Sequence, residues 1–131
     1  MRVIDSSALV KYFSREPGWE RVKLVMLEGI LTLDLSTKEL ANALWKKVMR
    51  NQMSYDTARE IIKDIVESEV LRVESQENYL LDALEMAVKA NITIYDALFI
   101  ALAKKKNLEL VTCDSAQAEA AKMLGVKVLT L

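Results

Sequence analysis

The run Val3-Ile4-Asp5-Ser6-Ser7-Ala8-Leu9-Val10-Lys11-Tyr12-Phe13 decides the fold, because it holds a buried strand, a helix start and a carboxylate side by side. Val3-Ile4 is short and apolar. Asp5-Ser6-Ser7 supplies side chains that accept from the free N–H groups of a first helical turn. Ala8, Leu9, Tyr12 and Phe13 then follow at helical spacing. A strand feeding directly into a helix is the opening of a crossover unit, the device that places parallel strands side by side.

Working outward, the same order recurs. Glu16-Pro17-Gly18 breaks the first helix and starts a second, with Trp19, Val22, Val25 and Met26 on one face. Gly29 suits the left-handed position after it. Ile30 to Leu35 reads as a second strand. Ser36-Thr37-Lys38-Glu39 has the form of a capping box, followed by Leu40, Ala43, Leu44 and Val48 as a helical stripe. Asn51 ends that helix, and Ser54 caps another with Ala58, Ile61, Ile62, Ile65 and Val66 inward. Val70 to Val73 reads as a third strand. Ser75 then caps a helix lined by Leu80, Leu84, Ala87 and Val88, ending near Asn91. Thr93 caps the next, with Ile94, Ala97, Leu98, Ala101 and Leu102 inward, and Lys104 to Lys106 close it where positive charge suits the macrodipole. Leu108 to Thr112 is a fourth strand. Asp114 opens a helix carrying Ala116, Ala120, Met123 and Leu124, which Gly125 stops, and Val126 to Leu129 is the last strand. Strands alternating with helices predict an α/β fold: a three-layer α/β/α sandwich with a central parallel sheet, Rossmann-like in its winding.

Composition bounds the chemistry. The 131 residues suffice for one domain, and a 52% apolar fraction allows a substantial core. Eighteen basic and nineteen acidic residues give a net charge of −1, so bulk charge does not point to a polyanion partner. Histidine is absent, which excludes Ser-His-Asp and Cys-His nucleophilic machinery and histidine-ligated zinc. The single cysteine, Cys113, cannot form an intrachain disulfide. No apolar stretch is long enough for a signal segment or a membrane span, so the expected setting is cytoplasmic.

What remains is carboxylate chemistry. Asp5, Glu39, Asp96 and Asp114 each fall near a predicted helix start, and three of them closely follow a strand. In a parallel sheet those strand ends share one edge, where ligands bind. Taken singly, each acid has a structural explanation: Asp5 and Asp114 as N-caps, Glu39 as the reciprocal partner in its capping box, Asp96 in the first turn after Thr93. Capping alone does not require the acids to converge, but the predicted topology makes three of them converge. Small residues Ala97 and Ala101 let the helix of Asp96 approach its neighbours closely. Hard oxygen ligands with no histidine or cysteine suit Mg²⁺ or Mn²⁺.

The segments Val3 to Phe13 with Glu16-Pro17, Glu39-Leu-Ala-Asn-Ala-Leu-Trp-Lys-Lys, Tyr95-Asp-Ala-Leu-Phe-Ile-Ala-Leu-Ala and Leu110-Val-Thr-Cys-Asp together resemble the PIN domain, most closely the VapC-type toxins of prokaryotic toxin–antitoxin pairs. The resemblance covers the whole chain, residues 1–131, as one nuclease domain. It implies a Mg²⁺- or Mn²⁺-dependent endoribonuclease with Asp5, Glu39, Asp96 and Asp114 as metal-binding acids. Ser6 and Thr112 fall where the family often has hydroxyls that orient a carboxylate or a water. It further implies an RNA substrate, a cognate antitoxin seated in grooves between the early helices, and a homodimer. The absence of a strongly basic surface departs from what an RNA-binding protein would be expected to show. Lys46, Lys47 and Arg50, or Lys11 and Arg15, are candidate phosphate contacts, although such runs are more often solvated helix faces.

Rival readings are a phosphoryl-transfer enzyme, a non-catalytic PIN-like scaffold and a DNA-directed nuclease. The first would want a second aspartate two residues after Asp5, where Ser7 stands. A scaffold usually loses site acids, and this chain keeps four. Structure-specific DNA nucleases of this fold are typically longer.

Overall fold

The computed structural model describes residues 1–68 and 71–131. Five parallel strands, β1 (Arg2–Ile4), β2 (Ile30–Leu33), β3 (Arg72–Glu74), β4 (Leu110–Thr112) and β5 (Val128–Thr130), form one sheet in the order β3-β2-β1-β4-β5. β1 is central: Val3 is in register with Leu31 on one side and Leu110 on the other. The winding reverses beside it, because the chain builds outward through β2 and β3, then returns to lay β4 and β5 on the other flank. Such a reversal opens a crevice at the carboxyl ends of the strands.

Alternation along the short strands divides the core. Val3 and Leu110 face a cluster with α5 (Leu80–Ala90), α6 (Ile94–Lys106) and α7 (Ser115–Met123). Their neighbours Ile4 and Val111 face the opposite cluster, with α1 (Ser6–Phe13), α2 (Trp19–Leu27), α3 (Leu35–Met49) and α4 (Tyr55–Ser68). The three-layer α/β/α architecture follows from that period-2 split. In α6, every residue from Ala97 to Ala103 is buried, so this helix lies inside the core rather than on it. Gly125 (φ +83°) takes the left-handed conformation after α7, as a stop residue should.

Several local expectations are corrected. Ser36 to Glu39 is not a capping box. α3 begins at Leu35, Ser36 Oγ donates to the carbonyl of Leu33 (2.7 Å), and Glu39 lies in the second turn, its carboxylate turned toward α1. The third strand is Arg72–Glu74, and the expected start at Val70 lies outside the described residues. Ser75 makes no side-chain cap. A 3₁₀ turn, Gln76–Tyr79, precedes α5, and Asp34 Oδ1 accepts from the Gln76 amide instead (2.9 Å). The buried face of α5 is Ala83 and Ala87, whereas Leu80, Leu84 and Val88 are exposed. Small residues on that face let α5 pack along α6, the most extensive helix–helix contact among the described residues. Val66 and Met123 are likewise exposed rather than inward.

Candidate active site

Asp5 is the residue immediately after β1, and its backbone N–H still bonds the carbonyl of Val111 on β4 (3.1 Å). That ladder bond fixes it at the carboxyl edge, beside the reversal. Its side chain is almost fully buried, at 2% exposure. Oδ1 accepts from Ser7 Oγ (2.7 Å) and from the Ala8 amide (3.0 Å), and Oδ2 accepts from Thr112 Oγ1 (2.5 Å). Burial nevertheless pushes its carboxyl up to about 6; Thr112, Ser7 and the Ala8 amide pull it back, and Asp114 adds to the rise.

The other acids arrive from three further elements. Asp114 follows β4 and caps α7, its Oδ1 accepting from the amides of Ala116 (2.8 Å) and Gln117 (3.2 Å). Glu39 comes from α3, and its Oε1 accepts from Ser6 Oγ (2.7 Å). Asp96 sits in the first turn of α6, where its amide reaches the capping Thr93 Oγ1 (3.3 Å). Burial raises the Glu39 and Asp96 carboxyls; Asp96 adds to the rise at Glu39, and Asp114 to that at Asp96. The acids therefore feel one another in sequence around the pocket.

All four line a single depression of about 190 Å³ together with Ser6, Ser7, Phe99 and Gln117. Thr112 lies behind the wall, completely buried, and serves Asp5. Among the described residues no three acids are drawn together into a finished ligand cage. They surround a shared space and stand apart, as unscreened like charges do. A carboxylate oxygen has two lone pairs, and the hydrogen bonds leave a consistent remainder. Among the described residues Glu39 Oε2, Asp114 Oδ2 and both oxygens of Asp96 have no donor, and Asp5 Oδ2 has one lone pair to spare. Glu39 and Asp114 are thus anchored through one oxygen, Asp5 through both and Asp96 through neither. That donor set, all oxygen and mutually repelling, fits a hard divalent cation.

A larger cavity of about 420 Å³ lies elsewhere, between α5 and α6. Its acids Asp82 and Glu85 alternate with Lys89, Lys104 and Lys105, so no charge accumulates there. Three of the five cations suggested by sequence are engaged: Lys47 pairs with Glu16 (3.0 Å), the Arg15 guanidinium stacks over Trp19 (4.0 Å) and Tyr12 (4.9 Å), and Lys11 Nζ donates to the Leu131 carbonyl (3.4 Å). Cys113 is half-buried; burial first of all raises its thiol above the ordinary value, the state of a packed thiol rather than a nucleophile.

Sequence reading missed two residues. Ser7 bonds Asp5 and accepts from the Cys113 amide (2.9 Å), stitching α1 to the end of β4. Gln117, 3% exposed, donates from Nε2 to the Asp96 carbonyl (3.0 Å). Its signal was present: a glutamine three residues after a capping aspartate, polar in an otherwise alanine-rich stripe.

A family model described as the PIN domain matches residues 2–123. Ribonuclease VapC3 of Pyrobaculum aerophilum is 34% identical over 120 residues, covering 89% of this chain and 92% of that protein. Exonuclease VapC9 of the same organism is 29% identical over 113 residues, covering 86% and 79%. The crystal structure of PAE2754 from Pyrobaculum aerophilum superposes with a TM-score of 0.75 at 26% identity, covering 97% of this chain and 89% of that one.

Proposed function

The chain belongs to the PIN domain family, and we propose that it is a VapC-type endoribonuclease, the toxin of a toxin–antitoxin pair, whose activity requires Mg²⁺ or Mn²⁺. The observation that carries this reading is the pocket lined by Asp5, Glu39, Asp96 and Asp114, where, among the described residues, Glu39, Asp96 and Asp114 each keep an oxygen uncommitted to the protein and Asp5 Oδ2 keeps one lone pair. Those four are the proposed catalytic and metal-holding residues, and residues 1–131 act as one nuclease domain. A divalent cation held by these four carboxylates would supply a more acidic water and a counter-charge for the phosphodiester.

The chain's own residues do the positioning. Thr112 and Ser7 hold Asp5 at the sheet edge, Ser6 turns Glu39 inward, and two amides of α7 fix Asp114. Among the described residues Asp96 is the acid of this pocket whose carboxylate accepts no hydrogen bond, which leaves it free to follow the cation or the substrate. Hydrolysis by this route leaves a 5′-phosphate and a 3′-hydroxyl and needs no histidine.

Two surfaces support the proposed partners. An apolar groove of about 290 Å³ between α3 and α4, lined by Leu44, Trp45, Val48, Tyr55 and Ile62 among others, suits an apolar antitoxin segment. On α5, Leu81 (86% exposed), Leu84 and Val88 form a stripe at helical spacing that suits a second copy of the chain. Among the described residues no single helix is long and apolar enough to cross a membrane, and we place the protein's action in the cytoplasm.

The test is manganese-dependent degradation of a circular RNA by the wild-type chain and by Asp96→Asn. Linear product from the wild type alone supports endonucleolytic cleavage. A circle that survives while linear RNA is trimmed assigns exonuclease activity instead, and equal cleavage by the variant removes the acid pocket from the chemistry.

A further inference from the structure

Thr112 has one hydroxyl proton and three oxygen neighbours. It lies 2.5 Å from Asp5 Oδ2, 3.2 Å from Ser7 Oγ and 3.5 Å from Gln117 Oε1. The short contact to an ionised carboxylate takes the proton, since charge-assisted hydrogen bonds are the strong ones. Ser7 has likewise given its proton to Asp5 Oδ1 at 2.7 Å. Among the described residues Gln117 Oε1 is therefore left with only a long, shared contact to that hydroxyl and no donor of its own, on a pocket-lining side chain only 3% exposed. Turning the amide over does not help: it would set Oε1 against the Asp96 carbonyl, which Nε2 now satisfies at 3.0 Å. A buried acceptor left without a donor is costly, so the pocket must supply one when it is filled.

We propose that Gln117 is a positioning residue for the hydrated cation: Nε2 ties the first turn of α6, and with it Asp96, to the helix that Asp114 caps, while Oε1 accepts a hydrogen bond from the cation's hydration shell. This rests on the divalent-metal reading above. It explains why a glutamine interrupts the small-residue face of α7, where Ala118, Ala120 and Ala121 pack into the core. It also gives the site a group that reads the ion's water rather than its charge, which matters most for Mg²⁺, because that ion gives up its waters reluctantly.

The experiment is calorimetric titration of the metal-free protein with Mn²⁺ and with Mg²⁺, with no RNA present. Four proteins are compared: wild type, Gln117→Met, Gln117→Glu and Ile100→Val. Gln117→Met keeps the volume and loses both polar groups; it is expected to bind either ion about 10-fold more weakly or worse, the usual cost of losing a partner just outside the ligands. Gln117→Glu keeps an acceptor but loses the Nε2 bond to the Asp96 carbonyl, and it is expected to recover only part of the affinity that Gln117→Met loses. Ile100→Val trims the buried face of α6 and lowers the melting temperature, but leaves the affinities unchanged, which separates positioning from loss of stability. Wild-type affinity in Gln117→Met overturns the proposal and spares the metal site. Binding by Gln117→Glu no tighter than by Gln117→Met also overturns it, by showing that the acceptor contributes nothing. Absence of binding by the wild-type protein overturns the metal reading itself, and this inference with it.

Discussion

Ser6 Oγ donates to Glu39 Oε1 at 2.7 Å, joining the first turn of α1 to the second turn of α3 across the mouth of the pocket. The bond consumes one oxygen of Glu39 and leaves the other free. Ser6→Ala should therefore leave the fold intact and loosen the acid. We expect kcat to fall about 10- to 100-fold, the range for losing a group that orients a ligand. Steady-state cleavage of a short RNA checks this; unchanged kcat would show that Glu39 needs no anchor.

Among the described residues the Asp96 carboxylate accepts no hydrogen bond, and its charge helps raise the Glu39 carboxyl. Asp96→Asn should abolish metal-dependent cleavage, yet the metal-free variant should melt no lower than wild type, because a repelling charge has been removed. Thermal unfolding in EDTA measures the second half. A clear drop in melting temperature would show that the carboxylate has a structural role the geometry does not reveal.

Cation addition should act in the opposite direction on the wild-type chain. A ligand bound only by the folded state stabilises it by about 2.7 kcal/mol at a hundredfold excess over Kd. Millimolar Mg²⁺ or Mn²⁺ should raise the melting temperature, and EDTA should reverse the rise. The double variant Asp5→Asn with Asp114→Asn should show no rise; a rise of wild-type size would place the ion elsewhere.

Asp5 sets a pH dependence. Its carboxyl stands at about 6 in the folded chain against an ordinary 3.8, chiefly through burial. The folded state therefore binds the proton more tightly than the unfolded state. The contribution is fully present below pH 3.8 and is lost as the pH rises through about 6. A shift of that size corresponds to about 3 kcal/mol. The metal-free protein should melt at a higher temperature at pH 5 than at pH 7.5, and Asp5→Asn should flatten the trend. A wild-type stability that climbs steadily with pH in EDTA would contradict the burial argument.

The exposed stripe on α5 carries its own test. Leu84→Glu should convert a dimer to a monomer in analytical ultracentrifugation without lowering the melting temperature by more than a degree or two, since Leu84 is 56% exposed in the single chain. A wild-type chain that sediments as a monomer at high concentration would leave that stripe without its proposed partner.

Much of this was legible in the sequence, for identifiable reasons. Val3-Ile4 and Leu110-Val111 alternate faces, and the caps at Asp5 and Asp114 are local signals with local causes, so strand, helix and carboxylate could be placed together. Glu39 was located correctly near a strand end but explained wrongly. Its hydrogen bond goes to Ser6, far away in the chain, and no local pattern encodes that contact. The inward face of α5 was misread because leucine and valine outweighed alanine in the hydrophobic pattern, whereas close helix approach selects Ala83 and Ala87. Gln117 escaped notice because its partner is a backbone carbonyl on another helix.

The most direct test of the central claim is anomalous diffraction from crystals soaked in Mn²⁺. We predict a peak in the pocket bounded by Asp5, Glu39, Asp96 and Asp114, lost in Asp96→Asn. A manganese site anywhere else, or density in the pocket that the substitution leaves unchanged, would contradict it.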